Sequence, residues 1–238
     1  MGWFRRGKKE TGPDCSVVVA AAGASSRMGF DKVLAEVGGV PVIVRCLQSF
    51  QRAPGVKEVV VVTRTDLVPD VARLCQDYGL DKVSKVIRGG ENRTQSVRLG
   101  TLECDPKSPL IAIHDGARPF VTVQVIEDAI AQAAVNGAAA PAVPVKDTIK
   151  SAHDGVVEQT LDRGALYAVQ TPQVFDGDLI RAALQKALDD GAQITDDCAA
   201  VERLGMKVVL TQGDERNIKL TTPADLLIGE ALAEEAPL

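Results

Sequence analysis

Short runs of β-branched and other apolar residues alternate along this chain with longer segments of helical periodicity. The strands are apolar throughout rather than alternately polar, which is typical of strands that are covered on both faces. The pattern predicts an α/β protein with a Rossmann-like, mostly parallel twisted sheet and helices on both faces. Strands are predicted at 16–22, 57–63, 85–88, 109–115 and 138–145, and helices at 41–53, 66–78, 92–104 and 121–137.

The stretch "VKDTIKSAHDGVVEQTLDRG", residues 145–164, departs from this alternation. Polar and apolar residues alternate on either side of Asp154-Gly155, a pair that favours a tight hairpin turn. We predict an antiparallel hairpin arm that projects from the sheet. Because its faces are only half apolar, we expect it to pack on a second subunit. After the arm, the sequence predicts helices at 176–190, 195–204 and 222–235 and a strand at 207–211.

The composition excludes several classes of protein. The chain has 238 residues, 45% of them hydrophobic, and a net charge of −5, so it can bury a large core and has no broad basic surface for nucleic acid. Five scattered cysteines without a C-x-x-C pair argue against a zinc site and favour reduced thiols in the cytoplasm. No stretch has the length of a membrane span. We expect a disordered tail at 1–14 and a single domain at 15–238.

The first strand runs into the loop "GASSRMGFDK", residues 23–32. Its glycine spacing matches neither a Walker loop nor a dinucleotide-binding fingerprint. The small residues from Ala21 to Ser26 nevertheless let backbone N–H groups approach phosphate oxygens closely, and Arg27 and Lys32 supply two cations. The pattern alone leaves two interpretations open: a triphosphate site, or a tight strand-to-loop turn with solvated cations.

Several blocks of the chain, taken in order, resemble one family. The loop is similar to the signature of nucleotidyltransferases that activate sugar and polyol phosphates, and the later blocks resemble those of the 2-C-methyl-D-erythritol 4-phosphate cytidylyltransferases. The resemblance runs from about Val17 to Leu232. The later blocks are "GGENRTQSV" (89–97), "IHDGARPF" (113–120), "PVKDTIK" (144–150), "TLDRGALYAVQTPQVF" (160–175), "ITDDCAAVE" (194–202) and "NIKLTTPADL" (217–226).

This resemblance implies an enzyme that joins CTP to methylerythritol phosphate and releases pyrophosphate, a step in non-mevalonate isoprenoid precursor biosynthesis. It implies Mg²⁺ as cofactor and a homodimer that forms through the arm. Two alternatives stay open: a cytidylyltransferase for another polyol phosphate such as ribitol 5-phosphate, and a nucleotide-binding module without catalytic activity. The absence of a dinucleotide glycine pattern makes an oxidoreductase a poor third option.

The resemblance also assigns roles to individual positions. Contacts to CTP are implied for Ala21, Ala22, Gly23, Ser25, Gly90, Glu91 and Ser96. Catalytic roles are implied for Arg27, Lys32, Asp115 and Lys219, with Asp115 as the residue that binds Mg²⁺ or the hydroxyls of the ribose and substrate. Binding of the polyol phosphate is implied for Arg118, Thr148, Arg163, Thr171, Thr195 and Lys219, with Thr148 and Arg163 reaching the neighbouring subunit's site.

Two positions depart from the family pattern. Ser25 stands where the family often has glycine, so its side chain either narrows the loop or adds a hydroxyl contact. Asp31 stands where the family commonly has proline before the lysine, and it brings a negative charge beside the predicted phosphate site.

Each assignment has a purely structural alternative. Asn92 is a good N-cap for the helix predicted at 92–104, Thr195 is a candidate N-cap for the helix predicted at 195–204, and Asp115-Gly116 suits an ordinary turn. The arm is equally well explained as a surface hairpin. His114 points to the opposite face of its strand from Asp115, so we predict that it packs in the core rather than serving as a base.

Overall fold

A computed structural model describes residues 14–23, 31 and 33–235. The strands are β1 (Cys15–Ala21), β2 (Glu36–Val37), β3 (Val40–Pro41), β4 (Val56–Thr63), β5 (Val83–Arg88), β6 (Leu110–Asp115), β7 (Ala138–Pro144), β8 (Lys150–His153), β9 (Val156–Thr160), β10 (Tyr167–Val169), β11 (Gln173–Asp176) and β12 (Val209–Gln212). The helices are α1 (Val42–Arg52), α2 (Val68–Asp77), α3 (Arg93–Glu103), α4 (Val123–Asn136), α5 (Gly177–Asp189), α6 (Asp197–Glu202) and α7 (Pro223–Glu235).

The central sheet has eight strands in the order β10-β7-β11-β6-β1-β4-β5, with β12 on β7. Strand β1 pairs in parallel with β4 and β6, as do β4 with β5 and β12 with β7. Strand β11 runs antiparallel between β6 and β7, and β10 pairs antiparallel with β7. The predicted mostly parallel α/β sheet is therefore confirmed.

The first strand shows why helices cover both faces. Val17 and Val19 belong to one buried cluster, together with residues of α1 and α4. Val18 belongs to a second cluster, together with residues of α3 and α5. Successive side chains of a strand point to opposite faces, so an all-apolar strand needs a cover on each side.

Strands β10 and β11 were not predicted, and neither was the short hairpin of β2 and β3. The segment from Tyr167 to Asp176 is broken by Pro172 and has no run of β-branched residues long enough to indicate a strand. Strand β11 exists because β6 and β7 flank it on both sides. Pairing across the sheet, rather than local propensity, decides its structure.

The predicted arm is present as the hairpin of β8 and β9. Asp154 and Gly155 form its turn with φ values of 48° and 79°, which is the left-handed pair that Asp-Gly adopts readily. Among the described residues these two strands pair only with each other. Val156 and Val157 at the start of β9 are 69% and 56% exposed, so the arm carries apolar side chains into solvent in a single chain.

Two further observations bear on the sequence predictions. All five cysteines are buried free thiols. Within the described part of the chain, none of the helices has the length and apolar character needed to cross a bilayer.

Candidate functional site

The carboxyl ends of the parallel strands surround a cavity of about 350 Å³. In parallel sheets with helices on both faces, ligands bind at this edge. Three regions of the sequence meet here: the end of β1, the loop before α3, and the end of β6 with the segment before α7. The described residues that line the cavity are Ala20, Ala21, Ala22, Gly23, Val33, Gly90, Glu91, Asn92, Arg93, Ser96, Asp115, Ala117 and Lys219.

One wall of the cavity is the loop between β5 and α3. The side chain of Asn92 accepts a hydrogen bond from the amide of Gln95, so the predicted N-cap is correct. The hydroxyl of Ser96 accepts a bond from the amide of Gly90 and donates one to the carbonyl of Asn92. Ser96 therefore fixes the shape of the loop. Asn92 caps α3 and also lines the cavity, so its structural role does not exclude a role in the site.

Gly89 lies where this loop meets the end of β1. Its amide donates to the carbonyl of Thr63, and a Cβ atom on it would lie 2.7 Å from the Cβ of Ala22 and 2.8 Å from the Oγ of Ser96. Real Cβ atoms do not approach so closely. A glycine is thus required for the two cavity walls to come together.

Asp115 ends β6 and is nearly buried at the floor of the cavity. Its carboxylate lies 2.9 Å from the Nζ of Lys219, 3.4 Å from the Nε of Arg118 and 3.9 Å from the Nη2 of Arg93. Burial alone would raise the pKa of Asp115, but these three cations outweigh it and hold that pKa at about 2. The floor is therefore an ionised carboxylate among three positive charges.

A chain of hydrogen bonds fixes the end of β6 from behind. The hydroxyl of Thr171 accepts from the amide of Asp115 and bonds the Nδ1 of His114, and the Nε2 of His114 donates to the carbonyl of Arg118. Burial lowers the pKa of His114 to about 4, so the ring is neutral at pH 7. Its edge packs against Phe50. His114 is a core residue, as the sequence predicted.

Arg93 and Asp197 form a pair that the sequence analysis did not single out. The guanidinium donates to both oxygens of Asp197, at 2.9 and 2.6 Å, and lines the cavity at the same time. Both residues lie inside the blocks that carry the family resemblance, one basic and one fully buried acidic. Their place in these blocks is the only indication in the sequence that the two residues matter. It does not show that they form a pair, because residues 104 positions apart cannot be paired from one sequence.

The remaining predicted residues are not part of the described lining of the cavity. Arg118 and Thr171 stand behind Asp115, as described above. Thr148 and Thr195 are exposed, and Arg163, at the base of the arm, donates to the carbonyl of Lys146. The alternative of Thr195 as an N-cap is wrong, because Asp196 accepts the bond from the amide of Ala199 and α6 begins one residue later.

Three predicted residues, Ser25, Arg27 and Lys32, lie outside the described residues. Asp31 is described, and its carboxylate is bound by the guanidinium of Arg64. The negative charge that the sequence placed beside the phosphate loop therefore has a counter-ion.

Comparison with known proteins gives the chain its family. The family model for 2-C-methyl-D-erythritol 4-phosphate cytidylyltransferase matches residues 15–235. The proteins of that name from Caldanaerobacter subterraneus and Geobacillus kaustophilus are 44% and 45% identical to it, over 90% of this chain and 96% and 95% of theirs. The crystal structure of 4-diphosphocytidyl-2C-methyl-D-erythritol synthase from Anaerococcus prevotii has a TM-score of 0.84 at 31% identity, covering 93% of this chain and 96% of that one. From the sequence blocks, the sheet and these relatives together, the chain belongs to the 2-C-methyl-D-erythritol 4-phosphate cytidylyltransferase family.

Proposed function

We propose that this protein transfers CMP from CTP to 2-C-methyl-D-erythritol 4-phosphate, giving CDP-methylerythritol and pyrophosphate. The observation that carries the proposal is the cavity itself. Alanine, glycine and main-chain atoms line much of it, and the carboxylate of Asp115, with Lys219, Arg118 and Arg93 within 3.9 Å, lies on its floor. A nucleotide and a second phosphate compound fit such a lining, because small residues pack a base and ribose while the charged floor binds anions and hydroxyls.

We assign the nucleotide to the part of the cavity formed by Ala21, Ala22, Gly23, Gly90 and Glu91, called the nucleotide end below. Four of these five residues are alanine or glycine, so their backbone is within reach of a base and its ribose. Cytosine presents an exocyclic amine donor where uracil presents an acceptor. A main-chain carbonyl at that position favours CTP, since UTP would leave the carbonyl without a donor.

In the reaction, an oxygen of the methylerythritol phosphate attacks the α-phosphorus of CTP. The bond from that phosphorus to the bridging oxygen breaks, and pyrophosphate leaves with its electron pair. No protein nucleophile is needed, so the protein contributes positioning and stabilisation of charge. Lys219 and, outside the described residues, Arg27 and Lys32 are the cations to which we assign that stabilisation.

Among the described residues, we assign Mg²⁺ to Asp115. Within that part of the chain, no group of three or more His, Cys, Asp or Glu side chains is spaced to hold a metal ion. Mg²⁺ commonly uses one or two carboxylates together with substrate phosphates, and Asp115 supplies one such carboxylate on the cavity floor. When bound there, Mg²⁺ would offset the repulsion between the two polyanions.

We assign the polyol phosphate to the side of Asp115 away from the nucleotide, with Arg118, Thr171 and Thr195 nearby. The arm supplies the rest. Thr148 and Arg163 flank an exposed hairpin, and the described residues of their own chain leave Val156 and Val157 mostly exposed. Packing of the arm on a second copy would bury these valines and bring Thr148 and Arg163 to the partner's cavity, which supports a homodimer.

The test is pyrophosphate release from CTP and methylerythritol phosphate in the presence of Mg²⁺. We expect turnover by the wild-type protein and a loss of about a hundredfold in kcat for Lys219→Met, in line with removal of one charge-stabilising group. Lys107→Met, at an exposed position away from the cavity, is the matched control and should retain full turnover. If the protein bound CTP but released no pyrophosphate from it with any polyol phosphate, the protein would instead be a nucleotide-binding module without catalytic activity.

The same assay decides the substrate. Ribitol 5-phosphate is offered in place of methylerythritol phosphate under identical conditions. A tenfold or greater preference for ribitol 5-phosphate, which corresponds to about 1.4 kcal/mol, would overturn the substrate assignment and leave the cytidylyltransferase class intact.

A further inference from the structure

Arg64 is bound by two carboxylates at the edge of the nucleotide end of the cavity. Its guanidinium bonds both oxygens of Asp31, the second at 3.1 Å through Nη2. It also bonds both oxygens of Asp66, at 3.1 Å through Nε and 2.6 Å through Nη2. These four bonds use four of the five N–H groups of the guanidinium, and the two carboxylates raise the pKa of Arg64, so it remains charged.

The position of this cluster connects it to the cavity. Arg64 directly follows Thr63, which pairs with Ala21 of β1. The carbonyl of Thr63 accepts a hydrogen bond from the amide of Gly89. Thr63 therefore lies between the two loops that form the nucleotide end. Asp31 lies two residues before Val33, which lines the cavity. The backbone carbonyl of Asp31 accepts bonds from the amides of Leu34 and Ala35, which fixes the chain at this point.

The charge at Asp31 poses a problem for a triphosphate site. A carboxylate beside several phosphate charges repels each of them. Arg64 offsets part of that charge: its guanidinium is shared by Asp31 and Asp66, so the three side chains together carry one negative charge instead of two. Its bonds to two carboxylates also leave it no free N–H fork with which to bind a phosphate directly.

We propose that Arg64 is a positioning residue of the nucleotide site, which offsets the charge of Asp31 and fixes the carboxylate of Asp31 in an orientation compatible with bound CTP. The proposal rests on the CTP site assigned above. It explains how this chain keeps an acidic residue at a position where the family it resembles commonly has proline. Arg64 and Asp31 then act as one unit, so removing both differs from removing the arginine alone.

The experiment measures CTP binding by calorimetry with Mg²⁺ present, using the full-length protein. Arg64→Ala should weaken CTP binding about tenfold, because a triphosphate then faces an uncompensated carboxylate. Asp31→Ala should bind CTP as well as the wild type or better. The double variant Arg64→Ala/Asp31→Ala should recover most of the lost affinity, and the loss in Arg64→Ala should shrink as salt is raised.

Kinetics give a second readout that a merely structural role would not move. The KM for CTP should rise in Arg64→Ala while the KM for the polyol phosphate stays the same. Arg64→Lys should restore only part of the affinity, since an ammonium cannot grip two carboxylates as a guanidinium does. Arg73→Ala removes a comparable exposed arginine, paired with Asp70 on α2, and should change neither constant.

Thermal unfolding checks that each variant is folded, and Arg64→Gln, which keeps the length of the side chain, replaces Arg64→Ala if that variant unfolds. Unchanged CTP affinity in the folded arginine variants would overturn the inference. A double variant as weak as Arg64→Ala would overturn it as well. If the wild-type protein itself failed to bind CTP, the proposed function would fall first, which separates the two outcomes.

Discussion

Both oxygens of Asp197 accept hydrogen bonds from Arg93, and the same guanidinium comes within 3.9 Å of Asp115. Asp197 is completely buried at the first turn of α6, and its backbone amide donates a hydrogen bond to the Oε1 of Gln173 in β11. Arg93 begins α3 and lines the cavity. This pair therefore connects α3, α6 and β11, which are far apart in the sequence, to the cavity floor.

Removing Asp197 should damage both stability and the cavity. In Asp197→Ala, Arg93 loses its only fully buried counter-ion among the described residues, and we expect the free energy of unfolding to fall by about 2–4 kcal/mol. Urea unfolding measures this loss. The same variant should bind CTP more weakly, because Arg93 is then free to turn towards Asp115.

Asp190→Ala is the control for that variant. Asp190 pairs with Lys186 and Arg203 on the surface, where ion pairs contribute little, so its removal should leave the unfolding midpoint almost unchanged. Equal losses in the two variants would show that the pair of Arg93 and Asp197 has no special weight.

Thr171→Val should destabilise the protein through the backbone of Asp115. The valine has nearly the same shape but cannot accept the amide of Asp115 or bond the Nδ1 of His114, so two buried polar groups lose their partner. We expect a loss of about 1–3 kcal/mol in the free energy of unfolding. Thr171→Ser keeps the hydroxyl and should lose much less. A valine variant as stable as the serine variant would show that these hydrogen bonds of Thr171 do not stabilise the end of β6.

The pH dependence of stability should carry the signature of His114. Its pKa is about 4 in the folded protein, below the ordinary value of 6.5, because burial disfavours the charged ring. Between these pH values the unfolded chain binds a proton that the folded chain does not. The contribution of His114 to the free energy of unfolding is therefore fully present above about pH 6.5. It falls by about 1.4 kcal/mol per pH unit as the pH decreases towards 4.

Urea unfolding at pH 5, 6, 7 and 8 measures that slope. His114→Gln should flatten it over the window from pH 6.5 to 4, whereas His153→Gln should not, because His153 is exposed at the tip of the arm. Identical slopes in both variants would mean that the buried ring does not control acid stability.

The double change Val156→Asp/Val157→Asp should break the proposed dimer without unfolding the chain. Both valines are exposed in the single chain, so their replacement removes no intrachain core. We expect a dimer-sized wild type and a monomer-sized variant in sedimentation velocity, with turnover reduced because Thr148 and Arg163 no longer reach a partner. Val135→Asp, an exposed valine on α4, should remain dimeric. A wild type that sediments as a monomer would contradict the proposal.

The elements that sequence reasoning found share a local cause. Strand β1 was predicted within one residue at its start and end because its run of valines and alanines has a strong intrinsic preference, and Asn92 was identified as a cap because capping acts over three residues. Gly137, the last residue of the helix predicted at 121–137, caps α4 with φ of 81°, which is the usual way in which glycine ends a helix.

The elements that it missed depend on distant partners. Strand β11 is stabilised by β6 and β7, which are far from it or separated from it by the arm in sequence. The error at Thr195 has a different cause, because Thr195 and Asp196 are adjacent residues that both suit an N-cap, and Asp196 is the one that caps α6. At the site, Asp115 and Lys219 were named through family resemblance, which already contains three-dimensional information. Arg93 and Asp197 were not, because only the folded chain shows that they meet.

The antiparallel strand β11 has a consequence for the order in which the chain can fold during synthesis. A nascent chain released up to the end of β7 contains β6 and β7 but lacks the strand that separates them. The ribosome must first deliver the arm and β10 before β11 can enter the gap and join the two parts of the sheet. The half that includes β1, β4, β5 and β6 is therefore able to assemble early, whereas β7 and everything built on it must wait.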